Sequence, residues 1–177
     1  MGNKLVLLSG VHGVGKSYFL KDRFACDDRF VVLSASDLIG RFKKADDAGY
    51  KKVYDVQNNQ QILLTELLNE KNRVSKDIIL DGHICILNET GAVEYIPEKF
   101  FQDAGVNGII LLQGDVDIIA QRQDQRDGLV LDKNIIREMQ VKEKWYCERL
   151  FSKYNIGHHV IDSTCEYSKF CKIVDRL

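Results

Sequence analysis

The chain has 177 residues, of which 45% are hydrophobic and 29% are charged, a composition that is ordinary for one globular domain. Its formal net charge of −1 provides no overall basic surface for nucleic acid. Five cysteines without a C-x-x-C pair argue against a disulfide framework or a zinc site, and the short first apolar run cannot serve as a signal or membrane segment. We therefore expect a cytoplasmic protein that binds neither membrane nor nucleic acid.

Short apolar runs, bounded by polar residues or glycine, predict buried strands. Continuous runs of this kind are typical of parallel strands that are covered on both faces. The predicted strands are Leu5–Leu8, Val31–Leu33, Ile78–Leu80, Ile109–Leu112 and His159–Ile161.

Helical spacing of apolar residues separates these strands. The predicted helices are Lys16–Ala25, Asp55–Arg73, Val116–Gln125, a long helix capped by Asp132 that runs to Tyr154, and a last amphipathic helix in "EYSKFCKIVDRL". Alternating strands and helices imply right-handed βαβ units, so the predicted fold is an α/β three-layer sandwich around a five-stranded parallel sheet. Residues 42–76 form a helical insertion in this pattern, and residues 84–96 form a hairpin that turns at Thr90-Gly91.

The stretch "GVHGVGKS" follows the first predicted strand, precedes a helix and matches G-x-x-x-x-G-K-[ST]. Its glycines let the backbone amides converge on one anion, and the helix that follows adds its positive end. Lys16 is expected to reach the β- and γ-phosphates of ATP, and the Ser17 hydroxyl to ligate Mg²⁺. Within the loop, His12 either touches phosphate or faces solvent. The predicted ATP-binding residues are Gly10, His12, Gly13, Val14, Gly15, Lys16, Ser17 and Tyr18.

The stretch "IILDGH" ends a predicted buried strand with Asp81. An acidic residue at this place in P-loop proteins positions Mg²⁺, so Ser17 and Asp81 are the predicted metal residues. His83, two residues further on, either contacts the acceptor or packs.

Arg122 and Arg126 are four residues apart and therefore share one face of a helix. Two guanidinium groups on one face suit the charge that builds on a phosphoryl group during its transfer. The alternative is a solvated face on which Asp124 and Asp127 are the ionic partners. In the phosphoryl-transfer reading, the predicted catalytic residues are Lys16, Asp81, Arg122 and Arg126.

Asp37 and Arg41 follow the second predicted strand, at the same edge of the sheet as the phosphate loop. Arg41 is expected to bind a phosphate of the acceptor. Asp37 has three open roles, which are contact with a sugar hydroxyl, deprotonation of an acceptor hydroxyl, and capping of a helix.

These motifs, in this order, resemble those of the P-loop nucleoside monophosphate kinases, and the archaeal-type adenylate kinases in particular. The loop "GVHGVGKS" is similar to theirs, "YDVQNNQQ" matches their D-x-Q-x-x-x-Q pattern at Asp55, Gln57 and Gln61, and "IILDGH" resembles their strand that ends in Asp-x-His. The resemblance implies one kinase domain over residues 1–177, with the acceptor bound by the 42–76 insertion. It also implies a short lid at residues 126–133.

Carried over residue by residue, the resemblance makes Lys16 and Ser17 the ATP and Mg²⁺ residues and Asp81 the acid that orients the metal. It makes Arg122 and Arg126 the arginines of the lid. The residues expected on the acceptor side are Asp37, Arg41, Gln57, Gln61 and His83.

Three functions are compatible with the sequence. The first is transfer of the γ-phosphoryl group of MgATP to a nucleoside monophosphate, with AMP the expected acceptor. The second is phosphorylation of a hydroxyl on a nucleoside, small metabolite or polynucleotide end, with Asp37 as base. The third is a slow ATPase that reports its nucleotide state to a protein partner.

Overall fold

Five parallel strands form the central sheet, in the spatial order β2–β3–β1–β6–β7. A computed structural model describes residues 3–24, 27–45, 56–88, 90–127 and 132–177. The central strands are β1 Leu5–Ser9, β2 Phe30–Ser34, β3 Asp77–Asp81, β6 Gly108–Gln113 and β7 Gly157–Asp162. All of these neighbours pair in parallel, so the predicted five-stranded α/β sandwich is confirmed.

The two faces of β1 explain why its apolar run has no polar alternation. Leu5 and Leu7 belong to the core on one side of the sheet, and Val6 and Leu8 belong to the core on the other side. Since a strand points successive side chains to opposite faces, both faces of a doubly covered strand must be apolar. Packing on both sides of the sheet therefore fixes the position of β1 and of its carboxyl end at Ser9.

Helices cover both faces of this sheet and confirm the predicted alternation of strands and helices. Asp132 caps α6 as predicted, because its side chain accepts a hydrogen bond of 2.8 Å from the Asn134 amide. The helices of the described ranges are α1 Lys16–Phe24, α2 Ala35–Ala45, α3 Val56–Arg73, α4 Glu98–Asp103, α5 Val116–Asp127, α6 Lys133–Tyr154 and α7 Tyr167–Arg176.

The predicted hairpin is present as β4 Cys85–Leu87 and β5 Val93–Tyr95, which pair antiparallel as a separate two-stranded sheet. Helix α4 has no counterpart among the predicted helices, because its six residues are too few to show apolar spacing. Helix α2 was not among them either, since the predicted helical insertion began only at residue 42. Predictions that involve Asp55 or residues 128–131 of the lid lie outside the described residues, as do the side chains of Gln57 and Arg126.

Two further observations concern the described part of the chain as a whole. None of its helices combines the length and the apolar character that a membrane crossing requires. Its cysteines are buried and unpaired; they are Cys85, Cys147, Cys165 and Cys171.

Candidate active site

The loop between β1 and α1 curls tightly because of its glycines. Gly10 and Gly13 have φ angles of +149° and +83°, which side chains other than glycine rarely adopt. A Cβ atom at Gly10 would lie 2.4 Å from the Leu112 carbonyl oxygen, and one at Gly13 would lie 2.8 Å from Cγ of Gln123. The backbone therefore adopts the curl that the sequence motif requires for binding phosphate through main-chain amides.

Lys16 lies inside this curl and is only 7% exposed. Its ammonium group donates a hydrogen bond of 2.6 Å to the Gly10 carbonyl oxygen and lies 3.0 Å from Nε2 of His83. Burial, together with the charges of Lys16 and His12, lowers the pKa of His83 to about 3. The imidazole is therefore neutral near pH 7, and its Nε2 accepts a hydrogen bond from Lys16.

Two consecutive residues of α5 hold the loop from its other side. Nη1 of Arg122 donates to the Val14 carbonyl oxygen at 3.0 Å, and Nε2 of Gln123 donates to the His12 carbonyl oxygen at 2.6 Å. Gln123 is 3% exposed and was not among the predicted site residues. Its position next to Arg122, within the predicted helix Val116–Gln125, is the sequence signal that would have found it.

Ser17 and Asp81 meet at the carboxyl ends of β1 and β3. The Ser17 hydroxyl donates to Oδ2 of Asp81 at 3.3 Å. Burial raises the pKa of Asp81, and Lys16 and Ser17 oppose that rise. A divalent cation would relieve the cost of a buried negative charge, so a hydroxyl and a carboxylate in this place fit Mg²⁺, which prefers oxygen ligands.

Few protein atoms are available to such a cation. Nowhere in the described ranges do three or more His, Cys, Asp or Glu side chains gather as a metal centre. Mg²⁺ commonly keeps several waters and takes its other ligands from one or two carboxylates and the phosphates of its substrate. The pair Ser17 and Asp81 therefore suits a cation that arrives with a nucleotide rather than one that the protein holds alone.

A cavity of about 370 Å³, here called the loop cavity, opens over the phosphate-binding curl. Lys16, Ser17, Asp81 and Arg122 line it, as do the predicted residues His12 and Tyr18. The Tyr18 side chain is 74% exposed at its edge, whereas the Val14 side chain is buried in the core and offers only its backbone. One cavity is thus lined by residues that were predicted to bind the ATP phosphates, to hold Mg²⁺ and to catalyse the transfer.

A second cavity of about 490 Å³, here called the hairpin cavity, lies between α2, α3 and the hairpin β4–β5. Its volume falls in the range that is usual for small-molecule sites. It adjoins the loop cavity, because both are lined by Ala35, Ser36, Gly82 and His83. A molecule bound there would face the terminal phosphate of a nucleotide held by the loop.

The residues that were predicted to bind the phosphoryl acceptor do not all line the hairpin cavity. His83 lines the hairpin cavity, but Arg41 and Gln61 do not. The Arg41 side chain is 67% exposed and lies 3.9 Å from a Glu70 carboxylate oxygen, and Gln61 is exposed on α3. The α3 residues that line the cavity are Asn59, Gln60 and Leu63, because the helix turns the neighbouring positions toward it.

Asp37 lies beside the metal pair rather than in the hairpin cavity. It lines a third space, here called the side cavity, together with Ser17, Asp81 and Arg41. Ser34, not Asp37, caps α2, because the Ser34 hydroxyl accepts a hydrogen bond of 3.3 Å from the Asp37 amide. The capping role that the sequence left open for Asp37 is therefore filled by another residue.

A buried carboxyl group lies behind the loop. Glu143 on α6 is 0% exposed, and burial raises the pKa of its carboxyl group while Lys16 opposes that rise. Beside it, the Ser9 hydroxyl accepts a hydrogen bond of 3.0 Å from the Ile84 amide and so joins the end of β1 to the segment that carries His83. Sequence reasoning missed Glu143, because it treated this stretch of α6 as an apolar stripe.

Three features together define a P-loop protein with a kinase fold: the strand order of the sheet, the curled loop after β1, and the pair Ser17 and Asp81. A family model described as an AAA domain matches residues 9–142, well over half of the chain, so the chain belongs to that family. No curated protein sequence matches the chain significantly.

Solved structures share the fold at low sequence identity. A tunicamycin resistance protein from Deinococcus radiodurans matches with a TM-score of 0.62 and 11% identity, over 98% of this chain and 94% of that chain. A gluconokinase from Sinorhizobium meliloti 1021 matches with a TM-score of 0.49 and 14% identity, over 96% of this chain and 87% of that one. Because 385 solved chains match, the fold by itself does not select an acceptor.

Proposed function

We propose that this chain transfers the γ-phosphoryl group of ATP to a small molecule that binds in the hairpin cavity. The observation that carries the proposal is the junction of the two cavities at Ser36 and His83. A donor phosphate on the loop and an acceptor in the hairpin cavity would meet at that junction. Positioning two reactants in this way accounts for much of the catalysis in phosphoryl transfer.

The charges of the loop cavity support the same reaction. The ammonium group of Lys16 and the guanidinium group of Arg122 lie where the charge of a transferring phosphoryl group would build. Fixed cations in a partly buried site stabilise that charge without reorganising. Ser17 and Asp81 would hold a Mg²⁺ ion that arrives with the nucleotide, and the ion would supply positive charge beside the phosphates.

The proposed reaction also depends on which chemical group of the small molecule accepts the phosphoryl group. The resemblance to nucleoside monophosphate kinases implied AMP, whose phosphate needs cations on the acceptor side. No lysine or arginine lines the hairpin cavity in the part of the chain that the structure describes, and Glu94 contributes a carboxylate. These features favour a hydroxyl acceptor over a phosphate acceptor, because a phosphate placed there would be repelled rather than neutralised.

A hydroxyl acceptor must lose its proton as the new bond forms. Its oxygen bonds to the γ-phosphorus, the bond from that phosphorus to the bridging oxygen breaks, and ADP leaves. Asp81 is the carboxylate expected to hold Mg²⁺, so it is not available to take this proton. Asp37, the predicted base, lines the side cavity, which adjoins the loop cavity at Ser17, Ser36 and Asp81. We therefore keep Asp37 as the proton acceptor within this proposal.

The test measures ADP release from MgATP in the presence of nucleoside monophosphates, nucleosides and simple alcohols, with phosphorus NMR to identify the product. We expect an alcohol to accelerate ADP release and to yield a phosphate ester. Acceleration by AMP alone would refute the hydroxyl acceptor and leave the kinase. ADP release that no added compound changes would refute the kinase and favour the nucleotide-dependent switch.

A further inference from the structure

The hairpin cavity contains a carboxylate that no described side chain neutralises. Glu94 on β5 is half-buried and lines the cavity, and its carboxylate forms no ion pair or hydrogen bond with another described residue. The contrast with Glu98, four residues later, is informative. Glu98 pairs with Arg149 at 2.6 Å and Lys153 at 2.5 Å, so within the described ranges the fold supplies cations to Glu98 and none to Glu94.

A second hydrogen-bond acceptor in this cavity also lacks a partner. Oε1 of Gln60, on α3, is buried and accepts no hydrogen bond from the described residues. Its neighbour Asn88 differs, because Oδ1 of Asn88 accepts hydrogen bonds from Thr90 and Ala92 within the hairpin. Buried oxygens are normally satisfied, so a ligand donor that reached Oε1 of Gln60 would fill an open hydrogen bond.

The remaining walls are largely apolar. Ile39 and Leu63 come from the two helices, Leu80 from the central sheet, Ile86 from the hairpin, and Phe100 from α4. A ligand with an apolar body would therefore displace water from these walls, while its polar groups would be directed to Glu94, Gln60 and the junction with the loop cavity.

We propose that the acceptor is an amino alcohol: an apolar body with one hydroxyl, which is phosphorylated, and one protonated amine, which pairs with Glu94. This inference rests on the proposed function of the site and names its substrate class. Oε1 of Gln60 accepts a hydrogen bond from a second N–H or O–H group of the same molecule. A hydroxy acid is rejected, because its carboxylate would lie against that of Glu94.

The reaction leaves the amine unchanged. The hydroxyl oxygen forms its bond to the γ-phosphorus, ADP departs with the bridging oxygen, and the hydroxyl proton passes to Asp37. The products are a phosphate ester that still carries its ammonium group and ADP. Glu94 acts as a specificity residue, because it selects the acceptor by charge and does not touch the reacting atoms.

The test uses two series of alcohols that differ only in charge. One consists of 6-amino-1-hexanol, 1-hexanol and 6-hydroxyhexanoate, and the other of 4-(aminomethyl)benzyl alcohol, benzyl alcohol and 4-(hydroxymethyl)benzoate. We expect kcat/KM for the amine to exceed that for the neutral alcohol by at least ~10-fold, the usual worth of a charge-assisted hydrogen bond. The carboxylate should be the poorest acceptor of each series.

Variants then identify the source of the preference. Glu94→Gln should remove the preference for the amine while the KM for ATP stays unchanged, and Glu94→Lys should reverse the order so that the carboxylate becomes the best acceptor. Glu148→Gln, at an exposed site on α6, is the matched control and should retain the wild-type order. A wild-type protein that prefers the neutral alcohol or the hydroxy acid, or a Glu94→Gln variant that retains the preference, overturns the inference.

Binding measurements separate this inference from the proposed function. Saturation-transfer NMR with a non-hydrolysable ATP analogue detects the six probes whether or not they react. Amines that bind through Glu94 without being phosphorylated would refute the hydroxyl kinase and retain the charge preference. Amines that bind no better than the carboxylates would refute the charge preference and leave the kinase to the ADP-release test.

Discussion

Nζ of Lys16 lies 3.0 Å from Nε2 of His83, so the cation of the phosphate loop contacts a side chain that lines both cavities. The low pKa of His83 keeps its ring neutral near pH 7, and the ring therefore accepts a hydrogen bond from the ammonium group. When phosphates bind Lys16, its hydrogen bonds to His83 and to the Gly10 carbonyl oxygen must adjust. The loop cavity and the hairpin cavity are thus linked by the direct contact between Lys16 and His83.

Replacement of Lys16 tests the charge of the loop. Lys16→Met retains the length of the side chain and removes the ammonium group, so kcat should fall by ~100-fold or more, as when another transition-state donor is removed. Thermal unfolding should stay close to wild type, since a buried charge is replaced by an apolar group. Lys169→Met, at an exposed site on α7, is the control. Normal turnover by the Lys16→Met variant would exclude the assigned site.

Arg122 should contribute to the transition state more than to nucleotide binding. Arg122→Ala removes a guanidinium group from the loop cavity together with its 3.0 Å hydrogen bond to the Val14 carbonyl. We expect kcat to fall by ~100-fold, with a much smaller change in the affinity for ATP measured by calorimetry. Arg137→Ala, exposed on α6, is the matched substitution. Equal losses in the two variants would contradict the role.

Two aspartates allow a direct comparison, because both line the side cavity but only Asp81 also lines the loop cavity. Asp81→Asn should lower kcat by ~100-fold and raise the Mg²⁺ concentration needed for half-maximal activity. Asp37→Asn should lower kcat without changing the Mg²⁺ requirement, because Asp37 takes the hydroxyl proton and does not hold the metal. Steady-state kinetics over a Mg²⁺ titration measures both quantities, and wild-type turnover by Asp37→Asn or an unchanged Mg²⁺ requirement in Asp81→Asn would contradict these roles.

Glycine substitutions should separate strain in the loop from ordinary helix propensity. Gly10→Ala places a Cβ atom 2.4 Å from a backbone oxygen at a φ of +149° and should destabilise the fold by about 1–3 kcal/mol, with loss of ATP binding. Gly40→Ala lies within α2 with no atom within 4 Å of the new Cβ and should stabilise it by about 0.5–1 kcal/mol. Urea denaturation measures both, and equal shifts would contradict the strain argument.

Glu143 should make stability depend on pH. Burial holds the pKa of Glu143 above its ordinary value of 4.5, so the folded chain binds a proton there that the unfolded chain loses above about that pH. Its contribution to stability is therefore complete below 4.5 and is lost as the pH rises through the folded pKa. Glu143→Gln should flatten this decline in urea denaturation between pH 5 and 9, whereas the exposed Glu148→Gln should not. An unchanged slope in the Glu143→Gln variant would contradict the buried proton.

Strands β1, β3 and β6 were predictable because their apolar runs report burial on both faces, as Leu5–Leu8 does. The phosphate loop was predictable for a different reason, since its glycines and Lys16 are fixed by local backbone geometry. The long helix α6 was predictable from its N-terminal cap at Asp132. Short-range rules therefore account for the sheet, the loop and most helix positions.

The walls of the hairpin cavity were not predictable in the same way. The faces of α3 and of the hairpin are set by tertiary packing, and a shift of one residue exchanges Gln61 for Gln60 at the cavity. Glu143 and Gln123 are polar residues buried by contacts that are distant in sequence, which apolar spacing cannot report. The order of the motifs predicted the residues around the phosphate loop and His83, whereas the other walls of the hairpin cavity became known only from the fold.

The hairpin β4–β5 forms a two-stranded sheet of its own, separate from the strands that carry the phosphate loop. Changes at Glu94 or Thr90 can therefore alter what the hairpin cavity admits without moving Lys16 or Asp81. Under the proposed function, substrate preference and phosphate chemistry are encoded in different parts of the chain. New acceptors can then be explored by mutation of the hairpin while phosphoryl transfer is kept, in evolution and in protein engineering alike.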